Sequence, residues 1–275
     1  MSNPHKCQVR KPAVAGMFYS DNISHLIKSV DGYLEPHPLK NKTKPRILIV
    51  PHAGFIYSGL AAGAAYKHIV NFADHIKNVA ILGPSHHKYL ETIAYPTDGQ
   101  FETPLGSIAV NHQMLAELAK THELLKPNSL AHLKEHCLEV QLPFLQRVLS
   151  DIQIIPLLMG KIAENDISAL IASILEYDNT LVVISTDLSH YLSYGDSVRQ
   201  DNETAKKIEM LQLSGKEENI ACGIFPLIGA LKYARDANLK IERLSLMNSG
   251  DTAGPRDQVV GYGAWMIYDP FEGNI

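Results

Sequence analysis

Imidazole and carboxylate side chains recur just beyond short apolar runs of this sequence. His52 follows "RILIVP" in "PHAG", His86 and His87 follow "NVAILG" in "GPSHH", and Asp187 and His190 follow "TLVVIST" in "STDLSH". These residue types hold metal ions or move protons. In open α/β sheets the ligand crevice lies outside the carboxyl ends of the strands. Three parallel strands would therefore bring these groups to one edge. A single loop histidine reads as a solvated or structural group, whereas three deliveries at equivalent positions point to a site. His86 and His87 are adjacent, and neighbours in an extended segment point to opposite sides. One of them faces the site and the other does not, and the local sequence does not choose between them.

Cys222 joins this set in "IACGIFPLIGALKYA". It precedes an apolar helix expected from near Phe225, with Pro226 in the first turn. A helix N-terminus favours thiolate, the form that binds metals. Locally the residue reads first as a small buried hydrophobe. A second polar cluster, Glu135, His136 and Glu139, lies in "HLKEHCLEVQLPFL". Its plain reading is acidic decoration of a helix start. Asp251 sits in the turn-rich "MNSGDTAG", where a turn role suffices. Phosphate-loop, H-E-x-x-H, C-x-x-C and G-x-S-x-G patterns are absent from the sequence.

The elements that must position these groups are legible. Strands are expected at 46–51, 78–83, 152–160 and 180–186, where Val, Ile and Leu run continuously as in strands buried on both faces. Helical patterns lie between them, at 58–70, 111–122, 139–150 and 165–177, with Pro143 shifting one start later than 139. A helix at about 22–34 precedes a Pro- and Lys-rich loop, 35–46. Residues 93–110 read as a hairpin-type excursion. Two helices (197–213 and 225–237) and two strands (240–247 and 258–268) close the chain. This alternation predicts a three-layer α/β/α fold, a single domain over 1–275 with a mixed, largely parallel central sheet.

Composition narrows the function classes. Hydrophobic residues make up 45% and charged residues 20%, so a sizeable core is expected and disorder is not. Lys and Arg number 25 against 29 Asp and Glu, and no basic run stands out, so nucleic-acid and anionic-membrane partners are not expected. No apolar run reaches the roughly 18 residues of a membrane span, and the first residues lack a signal-peptide pattern. Three cysteines, Cys7, Cys137 and Cys222, point to thiols or ligands in a reducing cytoplasmic setting.

The segments "RKPAVAGMFY", "VPHAGFIYSG", "ILGPSHH", "EHCLEVQLPFL", "STDLSHY", "CGIFPLIGAL", "NSGDTAG" and "VVGYGA" together resemble the Memo family, in that family's order from residue 10 to 264. The resemblance implies a fold related to class III extradiol dioxygenases, which are non-haem iron enzymes. It implies a metal site of His52, His86 and Cys222, with Asp187 and His190 in the same cleft as catalytic groups. His87 is then expected to point away. Glu135, His136 and Asp251 are expected to support the ligands or touch substrate. Asp187 and His190, three apart, are expected to share one face of a helical turn as a carboxylate–imidazole pair. Two imidazoles and one anionic ligand suit Fe(II), and the thiolate keeps Zn and Cu as competitors. Many relatives carry serine at Cys137, which places a spare thiol near the cleft here. Three functions follow: an oxygen-dependent, dioxygenase-like oxidoreductase, a metal-dependent hydrolase, or a binding module for an anionic peptide or small molecule. Prokaryotic members accompany a radical-SAM protein, which is the expected functional partner.

Overall fold

The computed structural model describes residues 8–37, 43–214 and 220–270; Cys7 and part of the Pro- and Lys-rich loop lie outside them. Twelve strands among the described residues form one mixed sheet. They are β1 (Val9–Arg10), β2 (Pro45–Val50), β3 (Asn78–Pro84), β4 (Ile93–Tyr95), β5 (Gln100–Thr103), β6 (Gly106–Val110), β7 (Leu125–Pro127), β8 (Gln153–Met159), β9 (Thr180–Ser185), β10 (His190–Leu192), β11 (Lys240–Asn248) and β12 (Val259–Tyr268). The helices are α1 (Ile23–Leu34), α2 (Phe55–Tyr66), α3 (His112–Thr121), α4 (Ser129–His132), α5 (Leu142–Val148), α6 (Glu164–Leu175), α7 (Tyr194–Glu209) and α8 (Ile224–Asp236). No helix of the described residues is long and apolar enough to cross a membrane.

The centre of the sheet runs β6-β8-β3-β9-β2, all parallel. Beyond β2, β12 and β11 add antiparallel strands. All six residues of β9 are buried, because helices cover both faces. On one side α1, α2 and α5 pack together, with α2 against β2 and β12; on the other, α6 and α8 pack together against β9. This is the three-layer arrangement that the continuous Val, Ile and Leu runs predict. Pro143 does delay its helix: α5 starts at Leu142, after a 3₁₀ turn over Glu139–Gln141. The 93–110 excursion contains the hairpin β5–β6, but β4 leaves it to pair with β8 and β7. The short elements β1, β7, α4 and β10 were not expected from sequence.

Register places the site. Val50 of β2 lies opposite Ser185 of β9, and Leu82 of β3 lies opposite Ile184. The three strands thus end at nearly one level, and His52, His86 and Asp187 each lie two residues beyond an end.

The N-terminal segment is tied to the 132–141 loop by a buried ion pair between Arg10 and Glu139. Glu139 also accepts from the backbone N–H of Ala13 (2.7 Å) and Val14 (3.1 Å) and from the Tyr19 hydroxyl (2.6 Å). The guanidinium donates further to the carbonyls of His132 (3.1 Å) and Glu135 (2.6 Å). The plain reading of Glu139 as helix-start decoration is therefore corrected: it is fully buried and accepts from four donors, all of them brought by the N-terminal segment that folds over it.

His132, nearby, is 1% exposed, and Nε2 donates to the Ala94 carbonyl at 3.1 Å. Burial pushes its pKa down to about 4. The unfolded chain takes up this proton near pH 6.5 and the folded chain does not. The contribution is complete above pH 6.5 and is lost as pH falls from there to about 4, a loss of about 3 kcal/mol. Denaturant midpoints at pH 7 and pH 4.5 should show a smaller fall for His132→Gln, which keeps the donor, than for the parent chain. Equal falls would mean that His132 is not held neutral.

Candidate metal centre

His52, His86 and Cys222 converge at the carboxyl edge, with their ligand atoms all within 4.8 Å of one another. His52 arrives from β2 and His86 from β3. Cys222 comes from the far side of β9, one residue before Gly223, which precedes α8. Gly223 permits this approach: a Cβ there would lie 2.7 Å from the Ser185 carbonyl and from Thr186 Cβ. Its backbone N–H donates to Thr186 Oγ1 at 2.9 Å, which pins the start of α8 to the end of β9. The Cys222 sulfur then lies 3.2 Å from His52 Nε2 and accepts from the Asp187 N–H at 3.2 Å.

The two imidazoles are held differently. His52 is buried, and its Nδ1 lies 2.9 Å from Ser185 Oγ. Burial and the neighbouring His86 ring push its pKa down to about 3, so the ring is neutral, as a ligand must be. His86 sits against Glu135: its backbone N–H donates to Oε2 at 2.7 Å and its ring Nδ1 to Oε1 at 2.8 Å. The Glu135 carboxylate also accepts from the N–H groups of His136 (3.0 Å) and Cys137 (3.1 Å). Burial works against its charge, but the His86 ring and these backbone donors outweigh it and hold its pKa well below the usual range. An ionised Glu135 accepts only, so His86 Nδ1 carries hydrogen and Nε2 is left for a ligand.

His86, Glu135 and His136 form a second close trio. Because Glu135 already accepts four hydrogen bonds, this trio is a hydrogen-bonded support for His86. The His136 ring stacks on His86 with centroids 4.7 Å apart. Its pKa falls to about 4, chiefly through burial and then the adjacent His52.

His86 lines the cleft and His87, which is exposed, does not. The reason is not strand alternation. β3 ends at Pro84, and the pair lies in a bend closed by a hydrogen bond from Ser85 Oγ to the Lys88 carbonyl at 2.7 Å. Asp187 lines the cleft, and its Oδ1 accepts from the His52 N–H at 2.8 Å. Burial raises its pKa. The expected helical turn joining Asp187 to His190 does not form. The chain is irregular from Thr186 to Ser189, and His190 opens β10, which pairs with β12 across a bulge. Tyr191, the bulge residue, has φ 58°, and both it and His190 line the cleft. Asp251 is corrected to a turn residue: it caps the 3₁₀ turn Ser249–Asp251, accepts from the Tyr194 hydroxyl at 2.7 Å and faces a groove beside β11. Cys137 is fully buried and donates to the Pro84 carbonyl at 3.2 Å, so it is not a thiol open to the cleft.

The cleft encloses about 550 Å³. Phe18, Tyr57, Tyr191 and Tyr262 give it aromatic walls over the histidine floor. Sequence reasoning missed these walls, and it missed Ser185 and Gln141 behind His52. A signal for the latter two existed: a hydroxyl ends an otherwise apolar strand, and an amide interrupts "EVQLPFL".

The donor set, two imidazoles and one sulfur, fits one borderline or soft metal ion. The thiol shows the same need from the other side. Burial, and then the Asp187 carboxylate, push Cys222 up to about 12, so the helix N-terminus does not by itself make a thiolate. A metal ion bound here would supply the missing positive charge.

An α/β protein with a two-histidine, one-cysteine cluster at the carboxyl edge of its parallel strands is the class that fold and site define. A model of the family described as Memo-like protein matches residues 10–266, and the chain belongs to the Memo family. It is 34% identical over 283 residues to a MEMO1 family protein of Metallosphaera sedula, covering 94% of this chain and 99% of that one. A MEMO1 family protein of Aquifex aeolicus is 34% identical (93% and 97% covered), and one of Thermotoga maritima 32% (92% and 97%).

Thiol chemistry tests the electrostatics. In metal-free protein carrying Cys7→Ser, Cys222 should react with a disulfide reagent at pH 8 about a thousandfold more slowly than an ordinary thiol, from the rise of its pKa from 9.0 to about 12. Asp187→Asn should speed this reaction, and Cys137 should label only on unfolding. Rapid labelling of Cys222 in the parent chain would contradict this.

Proposed function

We propose that this protein holds one Fe(II) ion through His52, His86 and Cys222 and uses it in oxygen-dependent chemistry on a small molecule or peptide side chain that enters the aromatic-walled cleft. The observation that carries the reading is the meeting of two imidazoles and a thiol at the ends of two parallel strands and the start of one helix, within 4.8 Å of one another. Three protein donors leave positions for other ligands on an ion that usually takes six. When bound, Fe(II) supplies Lewis acidity and electrons for oxygen chemistry. The chain's own groups do the rest. Glu135 orients His86, and Asp187 fixes the backbone of His52. His190 lies at the cleft wall, where it serves as the proton-transfer group. Phe18, Tyr57 and Tyr262 wall the cleft beside the histidines.

Capture of a ligand without turnover is a second reading. It draws on Met17 and Tyr191, each 71% exposed while lining the cleft, as an apolar contact surface is.

Anaerobic reconstitution followed by elemental analysis tests the proposal. The parent chain and His87→Ala should hold one iron each. His52→Ala, His86→Ala and Cys222→Ala should each lose more than about 100-fold in affinity, beyond the range for losing a supporting hydrogen bond. Full occupancy in Cys222→Ala would remove the sulfur from the site. Oxygen uptake by the iron form no faster than by free iron would favour ligand capture.

A further inference from the structure

We propose that Ser185 is a positioning residue that fixes His52 as its Nδ1–H tautomer, leaving the Nε2 lone pair facing Cys222 and the cleft. The argument is a count of hydrogens. A serine hydroxyl has one hydrogen to give and two lone pairs. Ser185 Oγ lies 2.7 Å from the Cys137 carbonyl, which can only accept, so the hydroxyl hydrogen goes there. Two neighbours remain, Gln141 Nε2 at 3.0 Å and His52 Nδ1 at 2.9 Å.

The Gln141 amide has one orientation. Its nitrogen also donates to the Pro51 carbonyl at 3.0 Å, and its oxygen accepts from the Tyr66 hydroxyl at 2.9 Å. Reversing it would set an amide oxygen against a carbonyl oxygen. Gln141 therefore donates to Ser185 and fills one lone pair. The last lone pair can be used only if His52 Nδ1 brings the hydrogen. All four side chains are buried, at 2% exposure or less, so solvent offers no substitute partner. At the other end of the ring, Nε2 lies 3.2 Å from the Cys222 sulfur, which as a thiol can donate to it.

The Cys137 carbonyl thus sets the direction of the Ser185 hydroxyl, and Ser185 carries that choice from the core to a ring at the cleft. Its value for metal binding rests on the metal reading above, whereas the tautomer itself does not.

The test is the ¹⁵N-histidine long-range correlation spectrum of the metal-free full chain, which distinguishes the two tautomers, joined to titration with Co(II) alone. The parent chain should show His52 as Nδ1–H. Ser185→Ala should shift it to Nε2–H or a mixture and weaken Co(II) binding about 10- to 100-fold. Ser185→Thr, which keeps the hydroxyl, should restore the parent tautomer. Gln141→Leu is the control for general damage. It removes two donors and an acceptor from the same core, yet Ser185 still gives its hydrogen to Cys137, so His52 should stay Nδ1–H. An Nε2–H ring in the parent chain overturns the proposal even if Ser185→Ala does not fold. So does a ring unchanged in Ser185→Ala, or one that shifts equally in Gln141→Leu. A parent ring with the expected tautomer but no Co(II) binding supports the positioning role and contradicts the metal reading.

Discussion

The candidate centre depends on one buried carboxylate. Glu135 gathers the His86 ring, the His86 backbone and the two N–H groups that follow it in the chain. An unpaired carboxylate at this depth would be strongly disfavoured. It is stable because four donors converge on it, and they converge only when the 132–141 loop is seated against the end of β3. Gly83 makes that seating possible, since a Cβ there would lie 2.7 Å from the Cys137 sulfur. The loop is held from behind by the Arg10–Glu139 pair. Glu135 and Glu139, four residues apart, thus face opposite partners: one holds a ligand, and the other holds the N-terminal segment that contributes Met17 and Phe18 to the cleft.

The centre combines rigidity with an electrostatic deficit. Burial keeps His52 neutral and Cys222 protonated, and Asp187 beside the sulfur deepens the second effect. The neutral His52 ring is ready to bind a cation, whereas the thiol must lose a proton to do so. Metal binding at this site would therefore be coupled to proton release from Cys222 and would strengthen as pH rises. The helix N-terminus at α8 serves geometry more than acidity: it brings the sulfur to the end of β9 by way of Gly223.

The sheet was readable from sequence because its central strands are buried on both faces and so appear as unbroken apolar runs. The same reasoning reached the meeting of His52, His86 and Asp187, since residues just past parallel strand ends share an edge. Elements of two to four residues, such as β1, β7 and β10, are too short to show a period. Without β10, the three-residue spacing of Asp187 and His190 suggests a helical turn, where the structure has an irregular chain and a bulge at Tyr191. The roles of Glu139 and Ser185 were out of reach for a different reason. Their partners lie far away in the chain, 129 residues for Arg10 and Glu139 and 133 for Ser185 and His52. Only the tertiary fold shows that a polar residue in an apolar run is fully satisfied.

The central claim is that a sulfur and two imidazoles share one metal ion. X-ray absorption at the zinc edge of the Zn-loaded protein tests it most directly, since zinc fits the same donors and is not oxidised by air. The account predicts one sulfur at about 2.3 Å and two imidazole nitrogens at about 2.0–2.1 Å, with the sulfur absent in Cys222→Ser. A shell of nitrogen and oxygen alone in the parent protein would contradict it.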